Sequence, residues 1–76
     1  MSKQELLIEY SIQDIIAYHI EDTGCDIETA MSRFYMSEVF DKLQDIETGL
    51  YLEGSVYVYD LFKIELEYGR LVQLEV

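Results

Sequence analysis

The chain has 76 residues, half of them hydrophobic, and its sixteen acidic and five basic residues leave a formal charge of −11. Such charge on a chain of low hydrophobicity would mean disorder, but this apolar content supports a core and sets the disordered acidic tail aside. The same balance argues against direct binding to nucleic acid or an anionic membrane surface, and it favours partners that carry basic groups.

A domain this small buries only about 60% of its unfolded surface, so a second copy or a partner protein is a natural source of further stability. Cys25 is the only cysteine. No disulfide can form within the chain, which fits a reducing, cytoplasmic compartment. The N-terminal stretch MSKQELLIEY has no basic region leading into an uninterrupted apolar run, so no signal peptide is expected. No apolar run approaches the roughly 20 residues that span a bilayer. Seven tyrosines and three phenylalanines are a heavy aromatic load for this length. Tyrosine hides a large apolar body behind one polar tip, so it serves the rim of a core or an interface equally well.

The absence of proline and a series of helix-start patterns predict a mostly α chain. Ser2 and Glu5 form a capping box ahead of Ile8, Ile12, Ile15, Ile16, His19 and Ile20, whose spacing makes one helical face. Thr23-Gly24 closes this first helix, expected over 3–23, with glycine supplying the left-handed stop. Asp26 reads as the next N-cap, with Glu28 in the first turn where the helix dipole favours a carboxylate. Ile27, Ala30, Met31, Phe34 and Tyr35 form the apolar stripe of a second helix over 27–36. Ser37 caps a third, expected over 38–46, with Val39, Phe40, Leu43 and Ile46 on its buried side. Thr48-Gly49 stops it.

From Leu50 onward local pattern allows two structures. Gly54-Ser55 between Tyr51-Leu52-Glu53 and Val56-Tyr57-Val58-Tyr59 matches a two-residue hairpin with glycine first. Alternatively Ser55 caps a helix with Val58, Leu61, Phe62 and Glu65 on one face, closed by Gly69. The segment Leu43-Gln44-Asp45-Ile46-Glu47-Thr48-Gly49-Leu50-Tyr51-Leu52-Glu53-Gly54-Ser55, followed by Val56-Tyr57-Val58-Tyr59-Asp60-Leu61-Phe62, resembles a group of small uncharacterised bacterial proteins. In that group an "ETGLY" turn leads into a Ser-capped helix containing "YVY". The resemblance is one of pattern over about residues 10–68. It tips Ser55 towards helix, and it implies an operon context of the toxin–antitoxin or accessory-regulator kind. The expected fold is therefore a single domain over 1–76, a compact bundle of three to four short helices. Residues 70–76 are left as an extended tail or a short β piece.

Residue types that carry chemistry are few. His19 lies on an apolar helical face, where a histidine is ordinarily packed and hydrogen-bonded. Cys25 has no companion ligands or base and reads as buried filler. Glu21, Asp22, Asp26 and Glu28 cluster near a turn, but their spacing matches no calcium loop, so capping and solvation explain them better. Asp45, Glu47 and Glu53 are read in the same way. Gly49 and Gly54 lack the lysine and spacing of a phosphate loop. Arg33, Lys42, Lys63 and Arg70 are scattered among acids and make no basic patch. No catalytic residue, cofactor or metal is expected.

These readings converge on a non-catalytic, acidic protein–protein interaction module whose partner is another protein or a second copy. The resemblance gives this its antitoxin-like or operon-encoded form. The residues expected to meet the partner are the tyrosines and acid near the turn: Tyr51, Glu53, Tyr57 and Tyr59. The alternative is an acidic mimic of nucleic acid, whose carboxylates stand in for phosphates in the groove of a DNA- or RNA-binding protein.

Overall fold

The computed structural model describes residues 2–69, and every regular element within them is helical. Helix α1 runs Lys3–Thr23, α2 Ile27–Tyr35, α3 Glu38–Gln44 and α4 Ser55–Tyr68, with single 3₁₀ turns at Ile46–Thr48 and Leu50–Leu52. This is the expected small helical bundle. The β piece considered for 70–76 falls outside the described residues.

Each of α1 to α3 has a local side-chain cap at its start, which is why their starts match expectation closely. The Ser2 hydroxyl accepts the Glu5 N–H at 3.1 Å while the Glu5 carboxylate accepts the Ser2 N–H, completing the capping box. Gly24 ends α1 at φ 72°, and its N–H returns to the Ile20 carbonyl. Asp26 caps α2 by accepting the Thr29 N–H at 2.9 Å. Ser37 is buried at the α2–α3 corner. Its hydroxyl donates to the Phe34 carbonyl and accepts the Phe40 N–H, so one side chain ends one helix and starts the next.

Beyond α2 ending one residue short of expectation, at Tyr35, two boundaries differ. Helix α3 stops at Gln44 because Asp45 turns extended, at φ −85° and ψ 105°, and its side chain accepts the Glu47 N–H to open a 3₁₀ turn. That change of direction carries Ile46, expected on the buried side, out to solvent. The second difference is at α4, where Gly54 is the cap residue and Ser55 the first helical one. The Ser55 hydroxyl, instead of capping, donates to Asp14 Oδ2 at 2.8 Å and pins the start of α4 to α1. The hairpin alternative fails on backbone grounds. A glycine-first hairpin turn needs a positive φ at that glycine, and Gly54 sits at φ −67°.

Helix α1 is the common support, packing against α2, α3, α4 and the second 3₁₀ turn, while α3 also packs on α4. At about 1.5 Å per residue its 21 residues span about 32 Å, in a molecule measuring 32 × 31 × 18 Å. The core is sealed by Ile15 from α1, Phe34 from α2, Val39 and Leu43 from α3, and Val58, Leu61 and Phe62 from α4. Phe34 and Phe62 meet edge to face at 5.2 Å between centroids and 82° between planes, the arrangement that aligns a positive ring edge with a negative face. Phe40 meets Phe34 and His19 meets Phe62 edge to face as well, so aromatic contacts run through all four helices. Among the described residues no helix is long and apolar enough to cross a membrane.

Candidate interaction surface

Three features converge where α1, α2 and α4 meet. His19 is 2% exposed and carries its ring against Phe62. Arg33 of α2 places Nη1 3.1 Å from His19 Nε2. A guanidinium only donates, so Nε2 accepts and the neutral ring holds its proton on Nδ1. That buried Nδ1 has no hydrogen-bond partner among the described residues. Burial lowers the His19 pKa below its ordinary 6.5, Arg33 lowers it further, and Asp22 opposes both. The ring is thus a neutral, packed group whose basic nitrogen is occupied, in line with the structural role expected for it.

Tyr59 corrects the expectation that it would face a partner. It is 6% exposed, and its hydroxyl donates to Asp22 Oδ2 at 2.7 Å, with Tyr18 tilted against its ring. Burial first, and the hydrogen bond and charge of Asp22 next, hold its phenol well above the ordinary range. The cause is helical geometry. Tyr59 lies one position after Val58 on the face of α4 that turns towards α1, which sequence alternation alone does not reveal. The Lys63 ammonium sits 5.4 Å from the centre of the same ring.

The other three residues expected at a partner surface are not gathered into one site. Tyr51 is half-buried against the core through the second 3₁₀ turn, Glu53 is exposed in the loop that follows, and Tyr57 is exposed on α4. Tyr57 borders a shallow cleft with Asp60, Lys63 and Ile64, whereas Tyr59 borders clefts on the α1 side.

The surface the sequence reading missed lies between α1 and α2. Ile12, Ile16 and Ile20 of α1 recur every four residues and form its floor. Ile27, Met31 and Tyr35 of α2, at the same spacing, form a wall and stay 58%, 36% and 42% exposed. Together with Ala17 they enclose a cleft of about 340 Å³. A second cleft of about 360 Å³ shares Glu9, Ile12 and Tyr35 with it and continues past Phe40 to Ile46. The trough follows from a stripe too wide for one neighbour. In α2, Ala30 and Phe34 are completely buried, and the residues one position away in the helical net are covered by no element among the described residues. The signal in the sequence was an apolar stripe of five residues, Ile27, Ala30, Met31, Phe34 and Tyr35, on so short a helix.

The charge around this trough is one-sided. Among the described residues, Glu5 and Glu9 are the only charged ones that line the two clefts, and no lysine, arginine or histidine does. Lys63, in contrast, lines each of three clefts on the α4 side. Compared with family models, curated proteins and solved structures, the chain matches none.

Proposed function

We propose that the protein is a non-catalytic interaction module of the cytoplasm that acts on a protein partner, in the manner of an antitoxin or another operon-encoded modulator. The observation that carries this reading is the apolar trough between α1 and α2, which no described element covers, on a chain of formal charge −11. An apolar surface left open at this size costs solubility, and a partner that covers it recovers the burial that a small core lacks. The acidic remainder keeps the free protein soluble and steers basic partners towards it.

Co-purification of the tagged chain from cells that naturally express it, with mass spectrometry and sedimentation, tests the reading. The expected result is one specific protein partner retained through moderate salt. A strictly monomeric chain that recovers nothing specific overturns it. A mimic of nucleic acid would behave differently, since carboxylate-driven binding falls steeply as salt rises and competes with DNA or RNA.

A further inference from the structure

From the trough and the charges around it, we infer that the α1–α2 face docks a basic amphipathic helix of a partner protein. The inference rests on the interaction-module reading and specifies its partner. Length is the first argument. The lining runs along α1 from Glu5 to Ile20, which at about 1.5 Å per residue is about 22 Å, or roughly four turns of an opposing helix.

Shape is the second argument. Both sides present apolar residues at four-residue spacing, Ile12, Ile16 and Ile20 on α1 and Ile27, Met31 and Tyr35 on α2. Such ridges leave a groove between them that accepts the side-chain ridge of a third helix. The recognition mode is a helix laid in a groove, with anchors at i, i+3, i+4 and i+7. Met31 suits the role because its unbranched side chain adapts to an incoming surface.

Charge selects the occupant. Glu5 and Glu9 line the trough, and exposed Glu28 follows Ile27 in α2, whereas Glu21 lines the cleft on the α4 side. Lysines or arginines flanking the apolar stripe of a partner helix would meet Glu5, Glu9 and Glu28 at the rim, where charge governs encounter and discrimination. A second copy of this chain brings another −11 to the same surface, so self-association through the trough is opposed by repulsion.

The test uses the whole chain labelled with nitrogen-15 and a synthetic peptide of leucine and lysine, about 16 residues long, with leucines at helical spacing. A scrambled peptide of identical composition is the control for charge alone. The expected result is amide shifts concentrated in residues 12–20 and 27–35, with the scrambled peptide bound about tenfold more weakly or worse. Ala17→Arg puts bulk and a cation into the trough at an exposed position, four residues before Glu21 where the pair supports the helix. This substitution should weaken peptide binding by about tenfold, whereas Leu52→Arg, the same charge change at an exposed site away from the trough, should weaken it by no more than about twofold. Circular dichroism checks that each variant is folded, and Met31→Lys replaces Ala17→Arg if that chain is not.

Equal binding of the two peptides, equal effects of the two arginine substitutions, shifts centred elsewhere, or no binding would each overturn the inference. The co-purification separates this failure from failure of the broader reading. A partner held equally by native and Ala17→Arg chains leaves the module standing with its surface elsewhere, and no partner for either removes the module itself.

Discussion

Protonating His19 would set a second cation against the Arg33 guanidinium, which lies 3.1 Å from Nε2, inside a surface that leaves the ring 2% exposed. The folded protein therefore resists that proton more than the unfolded chain does, and the pKa is lowered from 6.5. The sign of the linkage follows. Between the lowered folded value and 6.5 the unfolded chain binds more protons, so stability rises with pH in that window. The contribution is complete above 6.5 and is lost as pH falls through the folded value. Urea midpoints measured from about pH 7.5 down to about 5.5, above most carboxylate titration, should fall for the native chain. His19→Gln keeps an acceptor for Arg33 and removes the titration, so its midpoints should stay flat across the range. An equal slope in both chains would sink this account. The apolar neighbours of His19 made its packed role legible, but Arg33, fourteen positions away, could not be seen as its partner. The same distance problem hid Asp22 from Tyr59, which is why a residue expected at the surface is a buried link between α4 and α1.

At the scale of elements, α3 depends on α4. The Glu65 carboxylate accepts the Glu38 N–H at 2.7 Å and the Val39 N–H at 3.0 Å, adding to the Ser37 cap at the start of α3. Free N–H groups at a helix start need acceptors, and a carboxylate there is also favoured by the dipole. Glu65→Ala should cost about 1–2 kcal/mol, the range for losing charge-assisted capping bonds. Glu65→Gln, with one acceptor oxygen, should cost less. Urea unfolding gives the energies, and amide hydrogen exchange should quicken at Glu38 and Val39. Unchanged exchange at both would disprove the tertiary cap. Against a whole-domain stability of about 4–11 kcal/mol for a chain of this length, such a loss is a large fraction. Glu65 was legible as part of the inner face of α4, since it falls on the face of Val58, Leu61 and Phe62. Its task was not, because it serves a backbone 26 and 27 residues earlier. Capping within α1, α2 and α3 was readable for the opposite reason, its partners being three residues apart.

Across the whole molecule, the charge of −11 acts on stability as well as on partners. Like charges are closer in the folded slab than in the unfolded chain, so repulsion weighs against folding and salt relieves it. The melting temperature should rise between about 0.02 and 0.5 M sodium chloride, by several degrees if screening recovers about 1 kcal/mol. A melting temperature that falls over the same range would show that attractive ion pairs outweigh the repulsion.

Sequence alone determined the helical class, the spans of α1 and α2 to within a residue, the start of α3, and the caps at Ser2, Asp26 and Ser37. Each of these rests on interactions within one turn, so nearby residues suffice to specify it. The resemblance, not periodicity, favoured helix after Gly54, and the backbone of Gly54 decided it. Tertiary structure alone decided which apolar residues are buried. Ile15 and Phe34 disappear into the core while Ile27, Met31 and Ile46 stay in water, because burial depends on which neighbour arrives and how wide a stripe it covers. That difference is what leaves the trough open, and periodicity within one helix carries no information about it.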